Sequence, residues 1–264
     1  MSDATEQRGS PLGTPEDAEA TGRAVRGMFA SVAPRYDLLN HTLSLGCDLA
    51  WRRSTARALR PVLERPGSVA ADLCCGTGDL AFALARFSRG VVLGADFCHP
   101  MLERAHAKLA APASLRTPRA PAPAFVEADA LRLPFPNGSL DAVSIGFGFR
   151  NLADYERGLA EMHRVLKLGG ALAILEFSRV SWPVLGPLFR FYFRRLLPRI
   201  GKLVSGVAGP YQYLPDSVAR FPDQEALAAL MRGAGFVRVT YRNYFAGAAA
   251  LHVGEKAQVV ESRS

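Results

Sequence analysis

A glycine-rich turn flanked by acidic residues is the part of this chain best suited to chemistry. The turn is Asp72-Leu-Cys-Cys-Gly-Thr-Gly-Asp79, and it lies between a short apolar run and a helical pattern at residues 80–86. A strand, a glycine turn and a helix bring backbone close to a nucleotide-like ligand in parallel α/β sheets. Because glycine has no Cβ, Gly76 and Gly78 allow unusual dihedral angles and leave room for the ligand. The turn therefore predicts a site for a nucleoside cofactor.

Two further acidic residues follow predicted strands. Asp96 closes the next apolar run, at about the spacing expected for a carboxylate that binds ribose hydroxyls. Asp129, which precedes Ala130, follows the third predicted strand, where it can accept a hydrogen bond from the exocyclic amine of adenine. Since the carboxyl ends of parallel strands meet at one edge of a sheet, we expect Asp72, Asp96 and Asp129 to surround one ligand.

The charge of these side chains discriminates between two classes of cofactor. Residues 76–81 also satisfy the G-x-G-x-x-[GA] fingerprint of dinucleotide sites, so an NAD-linked oxidoreductase is an alternative. Asp72, however, precedes the turn, and Asp79 places negative charge at the helix start, where a pyrophosphate would bind. Carboxylates suit a ligand that carries a sulfonium and an ammonium group. We therefore predict S-adenosyl-L-methionine as the cofactor.

The elements that must position these residues alternate in type along the chain. The predicted strands are Val69–Leu73, Val91–Ala95, Ala124–Ala128, Ala142–Ile145, Ala171–Phe177, Val237–Tyr244 and Ala248–Val253. The predicted helices lie around residues 25–32, 49–59, 80–86, 101–109, 155–166 and 221–235. Pro61 is expected to end the second helix. This order predicts an α/β, Rossmann-like fold with a mostly parallel seven-stranded sheet, one antiparallel edge strand and helices on both faces.

One folded domain is predicted between two tails. Residues 1–22 are polar and rich in Gly and Pro, and they lack the features of a signal peptide, so they are expected to be disordered. The domain is predicted to cover residues 23–256, with a helical cap at 23–62 and a lid or substrate insertion at 180–217. Residues 257–264 are predicted to form the second tail.

Composition argues against several classes of site. No apolar run approaches the ~20 residues that a membrane-spanning helix needs. The four cysteines form no C-x-x-C pair, and the five histidines lack acidic partners at useful spacing. We therefore expect no metal site, reduced cysteines and a cytoplasmic location.

The net charge of +8 and the pI near 9.7 leave three interpretations open. A nucleic-acid partner, an arginine-rich composition without further function, and contact with an anionic membrane surface each account for the charge. Residues 182–202 favour the membrane, because arginines there flank an apolar, aromatic helical face. The same segment also fits a lid helix that packs on its own domain, or one that lines a pocket for an isoprenoid tail.

Two groups of motifs resemble known enzymes. Asp72-x-x-x-Gly76-Thr-Gly78 and Leu166-Lys-Leu-Gly-Gly170 resemble motifs of the class I S-adenosylmethionine-dependent methyltransferases, although Cys74 replaces a glycine often found there. Outside this shared core, residues 33–40, 43–46, 147–151, 211–217 and 221–224 resemble signatures of the quinone-biosynthesis C-methyltransferases of UbiE/MenG type. This resemblance covers residues 25–256, and it implies the class I methyltransferase fold.

The resemblance also implies a substrate and a set of cofactor residues. The expected reaction is methyl transfer to a ring carbon of a prenylated hydroquinone, either demethylmenaquinol or its ubiquinone-pathway counterpart. Thr77, beside the two turn glycines, is assigned to the cofactor, with Asp96 on its ribose and Asp129–Ala130 on its adenine. Gly146 holds a further cofactor position that is commonly serine in ubiquinone-pathway members. Because glycine offers no hydroxyl, only a backbone contact is expected there, and the prediction tilts to demethylmenaquinol.

Three residues are predicted to act in catalysis. Arg150 and Asn151 follow the fourth predicted strand, where the acceptor ring is expected. A ring carbon becomes more nucleophilic when a neighbouring phenol loses its proton, so Arg150 is predicted to stabilise phenolate, with Asn151 and Tyr36 orienting substrate or water. The simpler interpretations are a salt bridge from Arg150 to Asp154 and packing of Tyr36 in the helical cap.

The predicted partners are the prenylated hydroquinone and the inner face of a membrane, which the protein would touch peripherally. No nucleic-acid partner is expected, and an RNA-binding module is kept only as an alternative. The oligomeric state is left open between a monomer and a homodimer.

Overall fold

The computed structural model describes residues 9–12, 17–44, 46–110, 121–178, 180 and 209–258. The strands are β1 (Val69–Leu73), β2 (Val91–Asp96), β3 (Ala124–Glu127), β4 (Leu140–Gly146), β5 (Leu166–Phe177), β6 (Phe236–Tyr244) and β7 (Ala249–Lys256). The helices are α1 (Ala18–Val32), α2 (Tyr36–Leu43), α3 (Cys47–Leu63), α4 (Asp79–Ala85), α5 (His99–Ala110), α6 (Tyr155–Val165), α7 (Gly209–Arg220) and α8 (Gln224–Gly233).

The seven strands form one sheet in the spatial order β3-β2-β1-β4-β5-β7-β6. Strands β1 to β5 pair in parallel, and β7 pairs antiparallel with both β5 and β6. The predicted α/β fold with a mostly parallel seven-stranded sheet is confirmed. The antiparallel strand lies one place inside the edge, because β7 pairs with β5 and leaves the edge position to β6.

Helices cover both faces of the sheet and explain why its central strands are largely buried. Strands β4 and β5 are buried at almost every position, as expected for strands covered on both sides. On one face, α3 and α4 contribute the buried side chains of Leu59 and Leu84. On the other face, α6 and α8 contribute those of Met162 and Met231.

The prediction that Pro61 ends the second helix is wrong. Helix α3 continues to Leu63 and includes Pro61 in its last turn. A proline there loses only one helical hydrogen bond close to the helix end. The next two residues, Val62 and Leu63, are buried in the core, and this burial favours one more helical turn.

The predicted domain boundaries lie close to the described elements. Asp17 caps α1 through its side chain, so the helix begins before the expected end of the tail at residue 22. Residues 9–12 also lie against the domain, because Ser10 is buried and donates its backbone N–H to the carbonyl of Leu152 at 2.7 Å. Most of the predicted lid insertion, including residues 182–202, lies outside the described residues. The division into domain, cap and lid stays a prediction.

Candidate active site

The turn between β1 and α4 uses its two glycines differently. Gly76 has a φ of +55° and Gly78 a φ of +87°, a region that other residues rarely adopt. A Cβ at Gly76 would meet only the Cε1 atom of Tyr36, at 3.7 Å. A Cβ at Gly78 would lie 2.7 Å from the Cζ atom of Phe125. Gly76 therefore keeps the turn open toward a ligand, whereas Gly78 is needed for packing against β3.

Asp96 ends β2 with its carboxylate buried beside the turn. Its Oδ2 atom accepts the backbone N–H of Gly76 at 2.8 Å, and its Oδ1 atom accepts that of Cys98 at 2.8 Å. Burial raises the pKa of Asp96 to about 6, although these backbone donors oppose the rise. Each carboxylate oxygen can accept a second donor, such as a ribose hydroxyl. Asp96 thus lies where the sequence predicts, and it also fixes the turn.

Asp72 is a second buried carboxylate, near the end of β1. Its Oδ1 atom accepts the hydroxyl of Ser144 at 2.6 Å, and its Oδ2 atom has no hydrogen-bond partner among the described residues. Burial raises the pKa of Asp72 to about 7, and the hydrogen bond from Ser144 opposes this rise. A buried carboxylate with an unused oxygen, close to Asp96, is stabilised by a cation and repels a pyrophosphate.

The third predicted carboxylate lies at the surface. Asp129 follows the end of β3, is exposed, and accepts the backbone N–H of Leu131 at 2.9 Å through Oδ1. Ala130, next to it, is buried. The backbone N–H of Ala128 donates to the carbonyl of Asp96 at 3.0 Å, so both acids belong to the same edge of the sheet. The contact of Asp129 and Ala130 with adenine remains a prediction.

Helix α2 is joined to the turn by charged side chains. The hydroxyl of Thr77 donates to Asp37 of α2 at 2.5 Å, and Lys108 of α5 donates to Thr77 at 2.9 Å. Lys108 also lies 2.8 Å from a carboxylate oxygen of Asp37 and 2.5 Å from one of Asp79. Lys108 compensates the negative charge of Asp79. Asp79 therefore no longer argues against a pyrophosphate at this turn.

The structure brings a histidine together with two acids, which the sequence did not indicate. Potential ligand atoms of His41, Asp48 and Asp79 lie within 4.8 Å of one another. The expectation that histidines lack acidic partners was wrong because these residues come from three different helices. His41 Nδ1 lies 2.9 Å from Asp48 Oδ2, and Ser44 donates to Asp48 Oδ1 at 2.7 Å. Because Lys108 contacts Asp79, the carboxylates of both Asp48 and Asp79 have partners within the protein.

A small cavity of about 30 Å³ lies between the glycine turn and the loop after β4. Four of the predicted site residues line it: Tyr36, Gly76, Asp96 and Asn151. The remaining wall is mostly apolar, with Val25, Phe29, Phe97, Met101 and Phe147 among its side chains. The other predicted residues lie around this cavity and do not line it, namely Thr77, Gly78, Asp129, Ala130, Gly146 and Arg150. Two predicted cofactor residues, Gly76 and Asp96, and two predicted catalytic residues, Tyr36 and Asn151, therefore line the same cavity.

Gly146 ends β4 with little free space beside it. A Cβ at this position would lie 3.0 Å from the Cδ2 atom of Leu80 and 3.9 Å from a guanidinium nitrogen of Arg52. A larger side chain would press on Leu80. The backbone contact of Gly146 with the cofactor stays a prediction.

Arg150 is buried behind the cavity and pairs with Glu176 of β5. Its Nη1 atom lies 2.7 Å from Glu176 Oε1 and donates to the carbonyl of Phe147 at 2.5 Å. The alternative of a salt bridge to Asp154 was wrong, because Asp154 accepts the backbone N–H of Arg157 and caps α6. Burial opposes the charge of Arg150, but Glu176 outweighs it and raises the pKa of Arg150. Its contacts hold the loop at Phe147.

Asn151 is held by a residue far away in the sequence. The hydroxyl of Tyr213 in α7 donates to Asn151 Oδ1 at 2.9 Å and lies 3.1 Å from the hydroxyl of Ser10. This contact orients the Asn151 amide beside the cavity. On the opposite wall, burial raises the pKa of Tyr36, although Arg52 lowers it. Tyr36 therefore keeps its phenolic proton near neutral pH, and its ring also packs edge-on against Phe29 with centroids 6.1 Å apart.

Comparison with known proteins decides the family. A model of the ubiE/COQ5 methyltransferase family matches residues 17–256. The chain belongs to this family. A demethylmenaquinone methyltransferase of Deinococcus radiodurans is 48% identical over 96% of this chain and 99% of its own length. One of Thermus thermophilus is 50% identical over 87% of this chain and 100% of its own length. The ubiquinone/menaquinone biosynthesis C-methyltransferase UbiE of Rhizobium etli is 43% identical over 88% of each chain.

The protein is thus a methyltransferase, and the predicted family is confirmed.

Solved structures agree on the fold at low sequence identity. The [4+2]-cyclase SpnF is 16% identical, with a TM-score of 0.61, over 95% of this chain and 99% of its own. A methyltransferase of Thermotoga maritima, described as S-adenosylmethionine-dependent, is 20% identical, with a TM-score of 0.55, over 87% of this chain and 99% of its own. These two likenesses show the class I methyltransferase fold alone.

Several side chains of this methyltransferase were not predicted from its sequence. Glu176 carried a usable signal, because an acid within the apolar run of β5 must be buried and needs a partner. Tyr213 lies in one of the family motifs, but the motif alone did not show which side chain it contacts. Lys108 and Ser10 gave no signal, because their contacts are made by tertiary structure alone.

Two further features bear on the methyltransferase as a whole. The four cysteines form no disulfide, and burial raises the pKa of Cys74 and Cys75 well above the usual value, so these thiols stay protonated. Among the helices that the structure describes, none combines the length and the apolar character needed to cross a bilayer.

Proposed function

We propose that this protein transfers a methyl group from S-adenosyl-L-methionine to a ring carbon of demethylmenaquinol. The observation that carries this proposal is the cavity that joins Gly76 and Asp96 to Phe147 and Asn151, with Tyr36 in its wall. The wall of this cavity carries residues predicted for the cofactor and residues predicted for the acceptor, which supports transfer between the two. The name of the relatives that are 48% and 50% identical, demethylmenaquinone methyltransferase, supports this acceptor.

The charge of the site supports S-adenosyl-L-methionine over a dinucleotide. Asp72 and Asp96 are buried, and the pKa of each is raised by burial, to about 7 and about 6. A ligand with an ammonium and a sulfonium group lowers the free energy of both carboxylates, whereas a pyrophosphate raises it. When bound, the cofactor supplies an electrophilic methyl group on its sulfonium sulfur. Gly76, Thr77 and Asp96 would hold it, with Asp129 and Ala130 at its adenine.

The acceptor half of the cavity suits a quinol ring. Phe29, Met101 and Phe147 provide apolar walls against a flat aromatic ring and exclude water from it. Asn151 and Tyr36 are the polar groups on these walls that can bind ring hydroxyls. The protein has only to orient the ring carbon in line with the methyl donor, since methyl transfer needs little acid–base catalysis.

Arg150 is proposed as a positioning residue, a change from the phenolate-stabilising role that the sequence predicted. Its charge is compensated by Glu176, and its Nη1 atom donates to the carbonyl of Phe147. It thereby fixes the loop that carries Phe147 and Asn151. Tyr36 and Asn151 remain the proposed groups that orient the substrate or a water molecule that takes the ring proton.

Purified protein, labelled methyl donor and the two candidate quinols test this function. We expect label on demethylmenaquinol, with at most slow transfer to the ubiquinone-pathway quinol, which is the alternative that the names of the 43% identical relatives support. Transfer to neither quinol would reject the proposal. Reduction or oxidation of a nicotinamide cofactor without methyl transfer would favour the oxidoreductase alternative. A location at the inner face of the membrane and the absence of a nucleic-acid partner stay predictions, and the oligomeric state stays open.

A further inference from the structure

A cleft between α3 and α4 lies apart from the cavity described above and is lined by arginines. Arg53 and Arg57 come from consecutive turns of α3, and Arg86 follows the last residue of α4. Ala83 and Phe87 form the rest of the wall. The cleft has a volume of about 220 Å³ and is open to solvent.

The three guanidinium groups of this cleft have no ion pair or side-chain hydrogen bond to any residue that the structure describes, and all three are exposed. Neighbouring arginines of α3 differ, since Arg52 lies 3.5 Å from a carboxylate oxygen of Asp48 and Arg60 lies 2.8 Å from one of Glu64. Three like charges around one cleft repel one another. An anion that enters the cleft relieves this repulsion.

The donor set fits a phosphate group. A guanidinium group presents paired N–H donors in a plane, which matches two oxygens of a phosphate. The cleft is wide and open, so it suits a phosphate group at the end of a larger ligand. It offers no enclosed walls that would recognise the rest of a small soluble molecule.

Exposed apolar side chains continue this surface toward the active-site edge. Leu49 lies one turn before Arg53 on the same side of α3 and is 41% exposed. Phe245 is 66% exposed and contacts Trp51 of α3 edge-on, with ring centroids 5.8 Å apart. Asp48, near the start of α3, contacts His41 of α2. Helix α2 also carries Tyr36, which lines the cavity. The start of α3, and Leu49 with it, therefore lies at the active-site end.

We propose that the cleft formed by Arg53, Arg57 and Arg86 binds phosphate groups of anionic phospholipids and docks the α3–α4 face on a membrane. Leu49 and Phe245 then enter the interfacial layer beside the docked headgroups. This inference rests on the proposed function, because a prenylated quinol resides in a bilayer. A docked active-site edge shortens the path of the quinol to the cavity.

Vesicle co-sedimentation of the full chain tests the proposal. Two vesicle types are compared, pure phosphatidylcholine and phosphatidylcholine with about a third of phosphatidylglycerol. The variant R53Q/R57Q/R86Q is expected to lose roughly 100-fold in partition onto the anionic vesicles, since each basic side chain near such a surface contributes about fivefold. The control R220Q/R232Q/R242Q removes the same charge from α7, α8 and β6 and is expected to stay within threefold of wild type.

Four results would overturn the proposal. Equal losses in both triple variants would show that net charge alone drives binding, and wild-type partition that does not depend on phosphatidylglycerol would show that anionic headgroups play no part. Inorganic phosphate that raises the Tm of wild type but not of R53Q/R57Q/R86Q, without any difference in vesicle binding, would assign the cleft to a free phosphate compound. Loss of RNA retention in R53Q/R57Q/R86Q with unchanged vesicle binding would assign it to nucleic acid.

Methyl transfer to a short-prenyl quinol in detergent separates this proposal from the proposed function. We expect R53Q/R57Q/R86Q to keep wild-type turnover there and to lose it, by at least tenfold, when the quinol is supplied in anionic vesicles. Turnover in detergent without cleft-dependent vesicle binding would reject the docking surface alone. Cleft-dependent vesicle binding without any methyl transfer would reject the function alone.

Discussion

The two halves of the cavity are built by different means. The cofactor half comes from one local unit, in which Asp96 at the end of β2 holds the backbone of Gly76 in the turn after β1. The acceptor half comes from distant parts of the chain, because Tyr213 reaches both Asn151 and Ser10. Local backbone contacts make the first half recognisable in the sequence. The second half depends on side chains that only the complete fold brings together.

The largest expected effect comes from Asp96→Ala, which breaks the cofactor half. Loss of a buried carboxylate that holds the turn, and that we propose binds the ribose hydroxyls, should weaken the binding of S-adenosylhomocysteine by roughly 100-fold or more. Isothermal titration calorimetry measures this change. The matched control is Glu127→Ala, because Glu127 pairs with Asp96 in the β2–β3 register and is exposed. An affinity loss of similar size in both variants would contradict a specific role for Asp96.

The second effect separates binding from turnover in the acceptor half. Arg150→Met leaves Glu176 buried without its partner, so the free energy of unfolding should fall by about 3 kcal/mol. Arg150→Met combined with Glu176→Leu removes both charges and should recover most of this stability. In both variants, turnover should stay at least tenfold low while the Kd of S-adenosylhomocysteine changes less than threefold. Recovery of turnover with stability would show that the pair only supports the fold.

Asp72 gives a pH-dependent test of the buried charge. Its pKa is raised from 3.8 to about 7 by burial, so between these values the folded protein holds a proton that the unfolded chain has released. The free energy of unfolding of the apoprotein therefore falls as the pH rises through this range. Asp72→Asn removes the ionisation and should raise the Tm at pH 8 by roughly 5 °C, with a smaller rise, roughly 2 °C, at pH 5.

The exposed Asp129 is the control for this pH dependence. Asp129→Asn makes the same chemical change at an exposed carboxylate and should change the Tm much less than Asp72→Asn does. A Tm difference for Asp72→Asn that is the same at both pH values would contradict the raised pKa.

The smallest effect concerns the side-chain contacts that complete the acceptor half. Tyr213→Phe removes the donor to Asn151 and should lower kcat by about three- to tenfold with the fold intact. Ser10→Ala should act in the same direction but more weakly, because Ser10 contacts only Tyr213 in this network. Tyr241→Phe, on the exposed part of β6, is the control and should leave kcat unchanged. A lower affinity for the cofactor with an unchanged kcat would contradict the assignment of Tyr213 to the acceptor half.

The sequence predicted the strands and the turn of the proposed cofactor half well because their information is local. The strand, turn and acid spacing identified Asp72, Gly76 and Asp96, and all seven strands were placed to within a few residues except the start of β5. The two glycines looked equivalent in the motif. Only the position of Phe125 shows that Gly78 is required for packing instead of for ligand access.

The sequence predicted the acceptor half less well because tertiary contacts decide it. Arg150 and Asn151 were found, but Glu176 as the partner of Arg150 follows from the pairing of β5 in the sheet. The contact of Ser10 with Tyr213 crosses 203 positions of the chain, which no local pattern encodes. Pro61 shows the same limit, since burial of the residues after it continues a helix that local propensity would end.

Calorimetry of S-adenosylhomocysteine at pH 6.5, in two buffers of different ionisation enthalpy, tests the central claim that buried carboxylates face a cationic cofactor. The ligand's ammonium group should lower the pKa of Asp72 and Asp96, so binding should release a measurable fraction of a proton at pH 6.5. Proton uptake on binding, or no binding of this ligand where a nicotinamide dinucleotide titrates to saturation, would contradict the account.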